Sequence, residues 1–113
     1  ACVETQTPLV WGAATRLDGQ LGVYLPSHPS SPCYSCTFDP RHPPQEESCA
    51  TMGILAPLTG IVGCIQATEA IKIICGIPSD LHTGLLLIDA KRMAFTPIGL
   101  ARSSHCPTCA KQA

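Results

Sequence analysis

Two cysteine couples limit what this chain can become more than any other feature. Cys33-Tyr34-Ser35-Cys36 is the first and Cys106-Pro107-Thr108-Cys109 the second, with residues 37–105, 69 in all, between them. A C-x-x-C turn brings two thiolates within reach of one metal ion. A tetrahedral zinc needs four ligands, so one couple fills half a site and two complete it. The spacing therefore predicts a structural Zn2+ held by Cys33, Cys36, Cys106 and Cys109, with the chain between them clamped at its base. Pro32 ahead of the first couple and Pro107 inside the second suit turn backbone.

Two other uses of these thiols fit less well. Eight cysteines in 113 residues fall just short of the density of a short disulfide scaffold. Apolar residues make up 45% of the chain, enough for a core of its own. A thioredoxin-type redox couple opens a helix, and two couples framing a long segment do not follow that pattern. Cys64 and Cys75 fall in an apolar helical stretch, where a thiol is expected to be buried as a small hydrophobe.

Charge and hydropathy exclude further classes. Net charge is −1 with seven Lys and Arg, and no basic block or aromatic-basic interleaving supports nucleic-acid binding. The apolar stretch from Met52 to Ile65 is interrupted by Pro57, Thr59 and glycines, which argues against a membrane span. No charged-then-apolar leader opens the chain, so cysteines kept as thiols point to the cytoplasm. The length suits one domain over 1–113. The missing initiator Met and a start that reads as a helix tail suggest a piece of a longer protein.

The pattern of residues gives the elements. Ala1 to Thr5 reads as the end of a helix. Pro8 to Ala14 reads as a short strand covered on both faces, as in a parallel sheet. Arg16-Leu17-Asp18-Gly19 predicts a turn, with Asp-Gly as its strongest signal, and Gln20 to Leu25, with Leu21, Val23 and Leu25 on one side, a half-exposed antiparallel strand. Residues 39–48, with three prolines and several charges, read as a mobile, irregular loop, a plain linker or a flap that covers something. Helical periodicity runs from Pro57 to Cys75, with Pro57 in the first turn and Gly76 as cap. Apolar residues cover most of that helix and leave Gln66, Glu69 and Lys72 as its polar stripe. Gly60 and Gly63 offer a flat surface for close packing, in the core of this chain or on a second subunit. Gly84 to Ala90 and Met93 to Ile98 predict a hairpin turning at residues 90–92, with Pro97 on an edge strand. His28, His42, His82 and His105 are scattered, and none has a partner at metal-ligand spacing. His105 neighbours Cys106 and could replace a ligand.

The order of these motifs resembles one family over essentially all 113 residues. Pro8-Leu9-Val10-Trp11-Gly12-Ala13-Ala14, Gly19-Gln20, Pro32-Cys33-Tyr34-Ser35-Cys36 and Cys49 carry the first part. Gly53-Ile54-Leu55-Ala56-Pro57-Leu58-Thr59-Gly60, Gln66-Ala67-Thr68-Glu69-Ala70-Ile71-Lys72, Asp89-Ala90 and Cys106-Pro107-Thr108-Cys109 carry the rest. The pattern is similar to the C-terminal half of the bacterial molybdopterin-synthase and thiamine-type sulfur-carrier adenylyltransferases, relatives of ubiquitin-activating enzymes. Ala56-Pro57-Leu58 leans toward the molybdopterin type.

The resemblance implies an α/β fold: the C-terminal part of a doubly wound Rossmann-like sheet, with antiparallel strands, one long helix and a four-cysteine zinc knuckle. It implies a homodimer whose full-length form uses ATP and Mg2+ to adenylate the C-terminal Gly-Gly of a ubiquitin-like sulfur-carrier protein. It also implies that the carrier's tail threads beneath the loop 39–48. Cys49 matches a cysteine that links covalently to the carrier through sulfur in thiamine-type members and is dispensable in molybdopterin-type ones. That makes Cys49 the candidate catalytic residue, although Glu46 and Glu47 oppose the lowered pKa a nucleophilic thiol needs. The chain contains no G-x-G-x-x-G and no P-loop, so no nucleotide-binding residue is assigned and this stretch alone is expected to be inactive. A zinc-stabilised module that binds a carrier tail without ATP chemistry is the alternative.

Overall fold

The computed structural model describes residues 1–41 and 53–110. The elements in order are α1 (Cys2–Thr5), β1 (Leu9–Thr15), β2 (Asp18–Tyr24), α2 (Tyr34–Thr37), α3 (Ala56–Cys75), a 3-10 turn (Leu81–Thr83), β3 (Gly84–Asp89) and β4 (Ala94–Gly99). The four strands form one antiparallel sheet in the order β1-β2-β3-β4, and α3 lies across β1 and β2. The expected α/β class, long helix and antiparallel strands are all present.

The sheet corrects three expectations. β1 is an antiparallel edge strand pairing Leu9 to Thr15 with Tyr24 to Asp18, not a strand buried in a parallel sheet. Its apolar run serves another purpose: Trp11 packs edge-on against Tyr34 and Phe38, with ring centroids 5.3 and 5.4 Å away. These contacts tie β1 to the first cysteine couple. A side chain at Gly22 would meet the Trp11 ring, its Cβ lying 2.7 Å from the indole, so Gly22 makes room for the tryptophan. The turn forms within the expected span from Arg16 to Gly19, but on Arg16-Leu17, and the Asp18-Gly19 dipeptide that signalled it is paired inside β2. Arg16 takes a left-handed φ of 55°. Its N–H donates to the Gly53 carbonyl at 3.0 Å, and its carbonyl accepts from Leu55 at 2.8 Å. A distant segment therefore braces this turn. Finally, β2 is central and largely buried, with neighbours on both sides, because β3 covers the edge that a lone hairpin would leave open.

The hairpin of β3 and β4 forms as expected. Pro97 sits on the edge strand opposite Leu86, where its missing N–H costs no ladder bond.

The long helix also forms as expected. Pro57 lies in its first turn, and Gly76 caps it at φ 72°, with N–H bonds to Lys72 and Ile73 carbonyls around the cap. Leu58 and Val62 bury themselves with Leu21 and Ile88 to make the sheet–helix core. Gly12 and Gly19 let the helix close onto the sheet, since a Cβ at either would press within 3 Å of Val62.

The orientation of α3 is the surprise. Its polar stripe faces inward: Gln66 Nε2 donates to the Val10 carbonyl at 3.4 Å, and Glu69 is buried. Glu69 accepts from Ser79 Oγ at 2.6 Å and pairs with Lys72 at 3.0 Å. Ile71 and Ile74 are exposed, Ile74 by 82%. Cys64 and Cys75 are exposed too, against the expectation of buried thiols. Among the described residues, nothing beyond the adjoining turns of the helix itself comes within 4 Å of where a side chain at Gly60 or Gly63 would start, so their flat surface is not used in this chain's core. By length and composition alone the 20-residue helix could cross a membrane, more than its interrupted start suggested. The packing of Leu58 and Val62 and the inward bonds of Gln66 and Glu69 seat it on the sheet.

Candidate metal centre

The two cysteine couples are delivered by different devices. The first follows the loop after β2. Ser31 is fully buried, and its hydroxyl accepts the Leu25 N–H at 3.0 Å. The His28 N–H donates to the Leu25 carbonyl, and the Ser31 N–H to the His28 carbonyl. The loop is thus wound tightly up to Cys33, which takes the N-cap position of the single turn α2. The second couple follows β4. Arg102 holds it by donating to the Cys109 carbonyl and, at 3.3 Å, to the Pro29 carbonyl of the first loop. Thr108 and Ser35 join the couples directly through a hydroxyl–hydroxyl bond of 2.9 Å. Arg41 pairs with Asp39 at 2.7 Å and also reaches the His105 carbonyl at 3.4 Å.

These restraints bring all four sulfurs within 4.8 Å of one another. Cys33 Sγ lies 3.8 Å from Cys36 Sγ and 3.6 Å from Cys106 Sγ, and Cys36 Sγ lies 3.4 Å from Cys109 Sγ. Metal–sulfur bonds of about 2.3 Å at tetrahedral angles place sulfurs roughly 3.8 Å apart. A disulfide would need about 2.05 Å, and all four cysteines are free thiols. Cys33 does cap a short helix, as in a redox couple, but the second couple closes over it. The set can therefore hold one metal ion. Four sulfurs would fill a tetrahedron and leave no open position, which suits a structural ion and gives it no catalytic chemistry.

The surroundings set how readily the thiols ionise. Val3, Tyr24, Cys33, Cys106 and Cys109 form one buried cluster with Leu9 and Cys36 packed on it. Burial pushes the Cys33 thiol well above its ordinary value and raises Cys36 as well. Tyr24 is raised by the same burial and by the nearby Cys33. Burial alone would also raise Cys106. Backbone N–H groups of Cys109 and Thr108 and the Cys33 and Cys109 thiols outweigh it and bring Cys106 down to about 7. One of the two is the Thr108 N–H, 3.4 Å from the sulfur. Burial thus favours the protonated form of Cys33 and Cys36, and a bound cation would have to displace those protons.

Other candidate residues fall elsewhere. Cys49 and most of the loop 39–48 lie outside the described residues. His105 is exposed and is not part of the sulfur cluster, so it does not replace a ligand. Spacing alone did not identify Ser31, Tyr24 and Arg102 as supports of the centre. Arg102 reaches Pro29 from far along the chain, which no local pattern records, and the bond of Ser31 to Leu25 within its own loop has no fixed spacing signature.

Comparisons with known proteins agree with this architecture. The family model described as "ThiF family" matches residues 1–108. The adenylyltransferase and sulfurtransferase MOCS3 of Bos taurus is 45% identical over 115 residues, covering 99% of this chain and 25% of that protein. MOCS3 of Culex quinquefasciatus is 43% identical over 112 residues, covering 96% and 25%, and that of Oryza sativa subsp. japonica 41% over 109 residues, covering 96% and 24%. The chain thus spans about a quarter of the length of these curated relatives. Among solved structures, the microcin C7 biosynthetic enzyme MccB in complex with N-formylated MccA has the same fold, at a TM-score of 0.73 and 17% identity. The match covers 96% of this chain and 35% of that one. E. coli MccB with ATP gives 0.72 and 18%, covering 96% and 34%.

Proposed function

Since this chain belongs to the ThiF family, we propose that it is the zinc-bearing portion of an adenylyltransferase acting on a small ubiquitin-like sulfur carrier. The observation that supports this most is the identity of 41–45% along almost the whole chain to proteins named as adenylyltransferases. In the reaction the C-terminal Gly-Gly carboxylate of the carrier attacks the α-phosphorus of ATP. A carboxylate oxygen forms the new P–O bond and pyrophosphate leaves, so the product is an acyl adenylate. Mg2+ would neutralise the phosphates. This stretch has no phosphate loop, so the ATP site is assigned to other parts of the full-length protein, which we take to be a homodimer in the cytoplasm.

The role of this chain is to hold a rigid sheet and helix beside that site. Zn2+ on Cys33, Cys36, Cys106 and Cys109 would fasten its two ends together. Cys49 is read as an ordinary thiol, as in the molybdopterin-type members. Sulfur would then come from a sulfurtransferase, an activity named together with adenylylation in the MOCS3 relatives.

Pyrophosphate exchange tests this reading. Full-length protein is incubated with ATP, Mg2+, labelled pyrophosphate and a carrier ending in Gly-Gly. Label should enter ATP only when the carrier is present. Carrier binding without exchange would instead establish a non-enzymatic tail-binding module. Cys49→Ala should leave exchange nearly unchanged, and a carrier adduct mapped to Cys49 by mass spectrometry would make it catalytic.

A further inference from the structure

Away from the sulfur cluster, a cleft of about 400 Å³ opens between the loop after β2 and the segment after α3. Its walls are mostly apolar, with Pro8, Leu25, Ile73 and Ile77 among them, and two imidazoles, His28 and His82, line it. We propose that His28 and His82 form a second metal site, a two-imidazole site for a divalent late first-row transition metal.

Three observations support it. The first is spacing: the ring centroids lie 4.7 Å apart with planes tilted by 41°. An imidazole bound through nitrogen at about 2.0–2.1 Å holds its ring centroid roughly 3.2 Å from the metal. Two rings bound to one ion with centroids 4.7 Å apart would subtend roughly 95° at it, a cis angle in the six-coordinate, tetragonal geometry of Cu2+ or paramagnetic Ni2+.

The second is the tautomer. Nδ1 of His82 lies 2.5 Å from the Ser79 carbonyl oxygen. A carbonyl only accepts, so Nδ1 carries the proton and Nε2 of the neutral ring keeps a lone pair. A backbone carbonyl on the far nitrogen is the usual way a protein orients a metal-binding histidine.

The third is rigidity on both sides. The Ser79 hydroxyl donates to buried Glu69 and accepts from the Leu81 N–H, fixing the turn that carries His82 to α3. His28 sits in the loop closed by buried Ser31. The two residues are far apart in the chain, which is why sequence spacing gave no hint of the pair. Two protein ligands leave the remaining positions to water or to an incoming small ligand, unlike the closed cysteine centre.

The test uses full-length protein without a histidine tag, its cysteine centre loaded with zinc, titrated with Ni2+ by calorimetry. One saturable site is expected. His28→Ala and His82→Ala should each weaken it at least about tenfold, while His105→Ala, with its exposed ring elsewhere, should not. Absence of saturable binding up to about 1 mM, or wild-type binding by either cleft variant, would overturn the proposal and leave the pair as stacked rings only. Paramagnetic Ni2+ provides a check that needs no variant. It should broaden the ring proton signals of both His28 and His82 in the unaltered protein, and broadening of one or neither would also overturn the site.

Discussion

The cysteine centre and the long helix were equally conspicuous as patterns, yet their structures were not equally determined by them. At the centre each residue type demands a specific partner. A sulfur at ligand spacing has to meet other sulfurs, and Cys33, Cys36, Cys106 and Cys109 do so within 4.8 Å. In α3 the apolar residues surround most of the circumference, so burying one side or another gains similar free energy. What settled the orientation was the minority of side chains with directional bonds. Gln66 and Glu69 turn inward because Val10, Ser79 and Lys72 satisfy them there, and Ile71 and Ile74 are left outside. Where hydrophobicity does not discriminate, hydrogen bonding chooses the face.

The contrast can be broken most forcefully at the sulfurs. Cys106→Ser should release the metal and free both ends of the clamped segment. Structural zinc contributes about 10 kcal/mol or more in small peptides, comparable with the ~5–15 kcal/mol that keeps a domain folded. Elemental analysis with thermal melting by circular dichroism checks this, and metal-free protein that kept its melting temperature would refute a structural ion.

Acid should act on the same centre in graded fashion. Burial raises Cys33 and Cys36, so protons compete with the metal for these sulfurs. Lower pH favours the protons, so metal affinity should fall steadily between pH 8 and 5, and loading at pH 7 should release protons. Calorimetry in buffers of different ionisation enthalpy measures that release, and a pH-independent affinity would contradict it.

The helix responds on a smaller scale. Glu69→Ala removes the acceptor of Ser79 and the partner of Lys72, and should cost about 1–3 kcal/mol in chemical denaturation. A negligible cost would mean the inward stripe does not set the orientation. Ile74→Ser, at a site 82% exposed, should change the stability of this 113-residue chain by less than about 0.5 kcal/mol. A larger loss in a longer form of the protein would show that another surface covers this face.

Much of the architecture was legible because the relevant residues act locally. Gly76 ends the helix where a left-handed cap is needed, Pro97 marks an edge, and C-x-x-C spacing names its own ligands. The failures share a cause. Leu9-Val10-Trp11 looks like a strand buried on both faces, but its apolarity serves Tyr34 and Phe38, which arrive from another segment. Asp18-Gly19 is the better turn dipeptide, yet Arg16 turns instead because Gly53 and Leu55 hold its backbone. The His28 and His82 pair was invisible for the same reason. Cys49 gained no structural test, since it lies outside the described residues.

The knot of sulfurs also has a consequence for the chain when it is not folded. Residues 37–105 lie between the two couples, so a metal that stays bound turns β3, β4 and all of α3 into a closed ring. A ring of this size has a smaller denatured ensemble than an open chain, by roughly 4 kcal/mol of closure entropy. A molecule that loses its helix under stress while keeping its ion would then search far fewer conformations on the way back. The cluster would act as a memory of which ends belong together.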